Sequence, residues 1–304
     1  MKKIYIENRH HLNKGILEKC EDIVIINDPK QADFIIATNT VLQLESLGKT
    51  ILLISEAPRT THRKWLHSNL DKFNLVICHH PDPKKSNQMS WTEDDSSQYF
   101  PYKSDVYVQK ERKDTKFRDK GIFFAGNVQR NDKTTDEHGA YSINFLRHVM
   151  GDYFNEKIPQ SKFIGIGWGK QTTKTNNWRE EKMKDIEDSK CDFVLALENT
   201  IYPNYLTEKI WDGINSDRVT LYLGDPNVEK HIPLDCFIDL RPFYNVKTKK
   251  IDLEGIYNKI TNMSQEEYDK ILSNARKFRK TCTGKHLFYS KKLTQKIIEH
   301  IRIS

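Results

Sequence analysis

The amino-acid sequence predicts an α/β protein built on two successive parallel sheets. Three features point there. Short apolar runs alternate with helix-permissive segments, the alternation occurs in the first hundred residues and again after residue 120, and no tight hairpin signal joins neighbouring runs. A chain of 304 residues can hold two compact cores. A division into residues 1–110 and 111–304 is therefore expected.

In the first half, Ile4 to Ile6, Ile23 to Ile26, Phe34 to Ala37, Ile51 to Ile54 and Leu75 to Cys78 read as strands, because each is a β-favouring run bounded by polar residues. Ile16 to Cys20, Val41 to Gly48 and His62 to Phe73 suit helices between them, and Asp28-Pro29 closes the second strand as a turn. The fourth strand runs into Ser55-Glu56-Ala57-Pro58. A carboxylate then stands just past a buried strand, at the edge where open parallel sheets bind ligands. Glu56 also suits a cap for a helix starting after Pro58.

Periodicity is lost from residue 79 to residue 103. Adjacent histidines on a strand point to opposite faces, and neither His10-His11 nor His79-His80 has a recognisable third ligand, so no metal is expected. The aromatic stretches around Trp91 and Tyr99 to Tyr102 suit a sugar platform or ordinary loop packing. Lys103 to Lys120 interleaves seven basic with four acidic residues and reads as a solvated connection.

The formal charge of +7, from 49 basic and 42 acidic residues, is modest and mixed. It suits a small anionic substrate or an anionic membrane face, and with no recognised motif it does not argue for nucleic acid. Five cysteines without a Cys-x-x-Cys pair imply buried free thiols in a reducing compartment. After Lys2-Lys3 only Ile4 to Ile6 precede Glu7, too short for a signal segment, and no run approaches a membrane span. The expected place is cytoplasmic. Peripheral contact with the inner membrane face is a lesser reading, carried by Lys291, Lys292, Lys296 and Arg302 on the last helical segment.

The second series opens with Gly121 to Ala125 as a strand and Gly126-Asn127 as its turn. Tyr141 to Phe154 has helical spacing, and Phe163 to Gly169 is a strand with a glycine turn that fits neither Gly-x-Gly-x-x-Gly nor a P-loop. Phe193 to Leu197 is a buried strand ending on Glu198-Asn199. A loop follows with Tyr202, Pro203 and Asn204, and then Thr207 to Ile214 has Ile210, Trp211 and Ile214 on one helical face. Such a unit aims its helix amino terminus at the sheet's ligand edge, where an anion is favoured. Lys209, in the first turn, opposes the helix dipole, and a bound phosphate or pyrophosphate would account for it. Val219 to Leu223 ends at Gly224-Asp225-Pro226, a turn that lets backbone approach a ligand. Phe237 to Leu240 is a further strand. Ser264 to Glu267 is a capping box opening a helix, and Leu287 to Ile303 is another helical segment that packs back on a domain.

Glu198-Asn199, then Tyr205-Leu-Thr-Glu-Lys209, then Leu221-Tyr-Leu-Gly-Asp-Pro-Asn227 and Cys236-Phe-Ile-Asp239 together resemble, in this order, the donor-binding signature of the α1,3-fucosyltransferases of glycosyltransferase family 10. The resemblance implies a glycosyltransferase-B fold, two Rossmann-like domains facing across a cleft. It implies inverting transfer of fucose from GDP-fucose to a hydroxyl of a GlcNAc- or Gal-containing surface glycan such as lipopolysaccharide. It assigns Lys209 to the pyrophosphate, Glu208 and Tyr205 to ribose or sugar hydroxyls, and Asn199 to the loop or nucleotide. The family's strand-end glutamate, proposed as general base, corresponds to Glu56. Its phosphate arginine corresponds to Arg130 or Arg147, with Arg130 preferred because a loop residue reaches a ligand. No Asp-x-Asp triplet occurs, so no metal and no cofactor beyond the GDP-sugar substrate is implied. Two other readings stand: use of another GDP-sugar, and a non-catalytic nucleotide-sugar binder that keeps Glu208 and Lys209 without needing Glu56.

Overall fold

The computed structural model describes residues 1–7, 14–38, 49–54, 65–78, 83–90, 110–128, 140–168 and 178–304, the side chains at 14, 90, 178–179 and 282–292 excepted. The first sheet holds β1 (Lys2–Glu7), β2 (Ile23–Ile26), β3 (Phe34–Thr38), β4 (Thr50–Leu53), β5 (Leu75–Cys78) and β6 (Gln88–Ser90), all parallel, in the order β2-β1-β3-β4-β5-β6. Strands β3 to β5 are buried along their whole length, which explains their unbroken apolar runs. The strand β6 was not anticipated. Gln88-Met89-Ser90 has no apolar run, because among the described residues it pairs on one side only and stands as a short edge of the sheet. The helix α1 (Lys14–Leu17) begins two residues before the expected segment and is shorter than it.

The second half contributes β7 (Ile122–Ala125), β8 (Tyr141–Ser142), β9 (Lys162–Ile164), β10 (Phe193–Leu197), β11 (Thr200–Ile201), β12 (Val219–Leu223) and β13 (Ile238–Asp239). Five of these form a parallel sheet in the order β13-β12-β10-β7-β9. Its helices are α2 (Leu146–Lys157), α3 (Trp178–Asp188), α4 (Glu208–Asn215), α5 (Leu253–Thr261) and α6 (Gln265–Ile303). The helix expected from Tyr141 starts later. Tyr141-Ser142 instead pairs antiparallel with β11, and Ile143 N donates to Asn199 O at 3.1 Å, so this backbone is committed to the loop after β10.

Ser264 caps α6 as expected, its side chain accepting from Glu267 N at 3.1 Å. The two anticipated carboxyl-terminal segments are one continuous helix. Tyr268 and Leu272 fill the core of the second sheet, whereas Leu293, Ile297, Ile298 and Ile301 lie in the core of the first, beside Ile4, Ile36 and Ile51. A boundary assigning all of 111–304 to one unit does not foresee this. The stripe on the last turns needs an apolar partner, and the open face of the first sheet supplies it. Arg302 fixes the end, bonding Asp22 at 2.7 and 2.8 Å.

The charged connection departs from expectation in its described part. Asp217, in the left-handed region at φ 58°, accepts from Arg112 N (2.6 Å) and from Arg276 Nε and Nη2 (both 2.7 Å). Asp192 accepts from Arg118 N and Lys120 N at 3.0 and 2.9 Å. Phe117 packs edge to face on Tyr268 with ring centroids 4.9 Å apart. Both aspartates precede strands, β10 and β12, so residues 112–120 lie docked along the amino-terminal end of the second sheet. Backbone N–H groups of this stretch, together with the Arg112 side chain, answer the two buried carboxylates and so hold it on the sheet.

Candidate active site

The order of the second sheet reverses between β7 and β10: the chain leaves β7 for β9 on one side, then returns to β10 on the other. The carboxyl ends at that point are Gly126-Asn127 and Glu198-Asn199. Open α/β sheets bind ligands at such a switch point. Asn199, Tyr205, Glu208 and Lys209, named from the sequence, all lie on the loop or helix after β10.

Glu198 stands one residue past β10 and is fully buried. Its carboxylate accepts from Thr207 N at 2.8 Å and from Thr207 Oγ1 at 2.7 Å, tying the two ends of the loop together. Gly224 makes room for it. A Cβ there would lie 2.3 Å from Glu198 Cγ and 2.5 Å from the Tyr222 hydroxyl, so this glycine serves the close approach of a buried glutamate. Thr207 is the extended residue before α4, and its side chain does not cap that helix. Ile210, Trp211 and Ile214 face inward, Trp211 stacks on Phe278 at 5.9 Å, and Asp212 is bridged by Lys182 of α3 at 2.9 Å. The first turn of α4 is thus held from three sides.

Lys209 Nζ donates to Thr207 Oγ1 at 2.9 Å and to Glu208 Oε1 at 3.0 Å, and lies 3.5 Å from Glu198 Oε2. Two carboxylates therefore offset part of the penalty of a cation at a helix start. Burial pushes the Glu198 carboxyl up, and the Lys209 charge pulls against that.

Asn199 meets a second cation. Its Oδ1 accepts from Arg147 Nη2, while Arg147 Nη1 donates to Asn127 O at 3.0 Å. Arg147 is buried in the first turn of α2, so it joins the ends of β7 and β10 across the switch point. Being helical did not keep it from the site. Asn199 Nδ2 points to the Tyr205 hydroxyl at 3.5 Å. Tyr205 itself is 1% exposed and packs with Ala140 and Tyr202, so it supports the loop from within. Glu208 and Lys209 keep a little exposure, 12% and 17% of their side chains.

Asp225, in the turn after β12, is fully buried and accepts from Asn204 N (2.8 Å) and Asn227 N (2.9 Å). Burial pushes its carboxyl up to about 7, against those two bonds. Tyr202, opening the same loop, packs edge to face on His67 of the first half, ring centroids 5.9 Å apart.

Glu56, Arg130, both histidine pairs and the aromatic stretches from Trp91 and Tyr99 lie outside the described residues. On the first sheet, Glu7 ends β1, where the strand order also reverses, and burial raises its carboxyl. Sequence reasoning missed Glu7, although it shows the same signal as Glu56, a carboxylate at a strand end. Among the described residues no group of three or more His, Cys, Asp or Glu could hold a metal ion, and Cys20, Cys78, Cys191 and Cys236 are free thiols.

The sequence profile of the glycosyltransferase family 10 (fucosyltransferase) carboxyl-terminal region matches residues 130–287, just over half of the chain. The chain belongs to glycosyltransferase family 10. An α-(1,3)-fucosyltransferase of Caenorhabditis elegans, fut-1, is 27% identical over 125 residues, covering 32% of this chain and 29% of that protein. The mouse 4-galactosyl-N-acetylglucosaminide 3-alpha-L-fucosyltransferase 9 is 39% identical over 57 residues, covering 18% of this chain and 16% of the mouse protein. The matched stretches thus span under a third of these relatives. An α1,3-fucosyltransferase solved with GDP-fucose superposes with a TM-score of 0.56 at 16% identity, covering 89% of this chain and 81% of that one. This family 10 chain has the glycosyltransferase-B fold, with two parallel Rossmann-like sheets. Among the described residues no helix is long and apolar enough to cross a membrane.

Proposed function

We propose that the protein is an inverting α1,3-fucosyltransferase that moves fucose from GDP-fucose to a hydroxyl of a GlcNAc- or Gal-containing glycan. The observation that carries this reading is the meeting of Arg147, Asn199, Glu208, Lys209 and the amino terminus of α4 at the switch point of the second sheet, in a family 10 chain. Two cations and a helix start at one edge make a cradle for a diphosphate.

In this account Lys209 and Arg147 take the charge that develops on the leaving diphosphate, with the first amides of α4 contributing. Asn199, oriented by Arg147 and Tyr205, holds the loop under the nucleotide, and Glu208 meets ribose or sugar hydroxyls. Arg147 takes this role in place of Arg130 because it reaches Asn199 directly. Glu56 serves as general base. The acceptor oxygen attacks C1 of fucose as its proton passes to the Glu56 carboxylate, the bond from C1 to the phosphate oxygen breaks, and its electron pair leaves with GDP. One displacement turns a β-linked donor into an α-linked product and needs no enzyme nucleophile. No metal or further cofactor is assigned. The four cysteines among the described residues are free thiols, which suits a reducing, cytoplasmic setting.

The test is Glu56→Gln. Loss of a general base lowers kcat by about 10²- to 10⁴-fold, while GDP-fucose affinity stays at the parent value because Glu56 is on the acceptor side. Parental kcat in this variant would remove Glu56 from the reaction. Binding of GDP-fucose by the parent without transfer to any glycan offered would favour a non-catalytic binder.

A further inference from the structure

The loop between Asn199 and Lys209 contains a turn whose geometry depends on a carboxylate outside the loop. Tyr205 N donates to Tyr202 O at 3.0 Å, Pro203 holds the second position, and Asn204 holds the third in the left-handed region at φ 59°. Proline followed by a left-handed residue is the pattern of a type II turn. The central peptide of such a turn is flipped relative to type I, and its N–H, that of Asn204, has no partner within the turn. Asp225 Oδ1 accepts that N–H at 2.8 Å and Asn227 N at 2.9 Å, so one buried carboxylate pins the loop to the end of β12. Asn204 Oδ1 is 3.4 Å from His231 Nε2, which is 3.7 Å from Asp225 Oδ2. On either side of the turn lie Asn199 and Thr207 to Lys209, and its first residue, Tyr202, touches His67 of the first half.

Proline is compatible with both type I and type II turns, so proline alone does not choose between the two peptide orientations. The carboxylate does, because in the flipped-back orientation it would face a carbonyl oxygen and lose a charge-assisted hydrogen bond. We propose that Asp225 is a positioning residue for donor binding: by fixing the 203–204 peptide it sets Asn199, Tyr205 and Lys209 in the arrangement that takes a nucleoside diphosphate. This assignment rests on the reading of the site as a GDP-sugar site.

The groups facing Asp225 are Glu198 at the end of β10, Tyr222 of β12, and Glu229 and His231 on the segment after the turn. Burial lowers the His231 pKa, so this imidazole stays neutral near pH 7. As pH falls through about 7 Asp225 takes a proton, and a neutral acid holds the Asn204 N–H less strongly than the carboxylate does.

Titration calorimetry with GDP on the full chain, from pH 6 to 8.5 and with melting temperatures alongside, tests the assignment. Asp225→Ala should bind GDP about tenfold more weakly, the equivalent of one lost buried hydrogen bond. Asp225→Asn keeps an acceptor oxygen and should stay within about threefold of the parent. Below pH 7 the parent should weaken relative to Asp225→Asn, a comparison in which titration of GDP itself cancels. Should Asp225→Ala fail to fold, this pH comparison decides. GDP affinity equal to the parent's in Asp225→Ala, or parallel pH profiles for parent and Asp225→Asn, overturns the positioning role. No GDP binding by the parent would overturn the donor reading and this assignment with it.

Discussion

Lys209→Ala tests the donor site at its most charged point. Lys209 Nζ donates to Thr207 and Glu208 and stands 3.5 Å from buried Glu198, with only 17% of its side chain exposed. A hydrogen bond between an ammonium and a diphosphate is worth about 1.5 to 3 kcal/mol, or roughly 10- to 150-fold in affinity. Because the ammonium already serves two carboxylates, binding exchanges part of one pairing for another, which argues for the lower end. A second effect acts the other way. Without Lys209, Glu208 and Glu198 face the diphosphate uncompensated, and the Glu198 carboxyl, already raised by burial, loses the cation that pulls it back. It then takes a proton more readily, which limits the repulsion as pH falls. Calorimetry with GDP should therefore show Lys209→Ala weaker by about 10- to 100-fold, with a larger deficit at pH 8.5 than at pH 6. Adding Glu208→Gln should recover part of the loss. A Kd within about twofold of the parent's at every pH, with unchanged melting, would remove Lys209 from the site and refute the cradle.

Two further outcomes concern what holds the site in place. Gly213→Ala places a Cβ 2.4 Å from Thr220 Oγ1 and 2.7 Å from Thr220 Cγ2, between α4 and β12, and should cost about 1 to 3 kcal/mol of stability; an unchanged denaturant midpoint would contradict the packing. Asp217→Asn tolerates the left-handed backbone yet loses the charge that gathers Arg112 and Arg276, and should cost about 2 kcal/mol near pH 7. Burial would raise the Asp217 carboxyl, but the Arg276 bonds and the Arg112 N–H hold it below its ordinary value. Its contribution is therefore present above the unfolded pKa of about 4 and fades as pH falls through the lower folded value. The melting gap between parent and variant should close below pH 4, and a gap that persists there would contradict the linkage.

The fold was most legible where a buried strand feeds an amphipathic helix. Phe193 to Leu197 and Val219 to Leu223 emerge with the bounds read from their apolar runs, and α4 differs from its expected span by one residue at each end. Strand β6 was invisible because an edge strand need not be apolar. Tyr141-Ser142 continues the helical spacing of residues 143–154, and only a partner nearly sixty residues later makes it a strand. The site divides the same way. Glu208 and Lys209 are local features of a helix start, readable from position alone. Glu198 and Asp225 act on Thr207 and Asn204, across the loop and from the neighbouring strand, and no spacing rule reports such a bond. Arg147 ranked behind Arg130 in the sequence because it is helical, and only the fold brings its first turn to Asn199. The connection before β7 looked solvated because its partners, Asp192 and Asp217, are distant in sequence.

The central claim is transfer of fucose, and the most direct measurement is GDP release from GDP-fucose with and without galactosyl and N-acetylglucosaminyl glycans, with the anomeric configuration of the product read by NMR. Release should depend on the acceptor, and the product should be α-linked. A β-linked product, or no transfer to any of these glycans by protein that binds GDP-fucose, would contradict it.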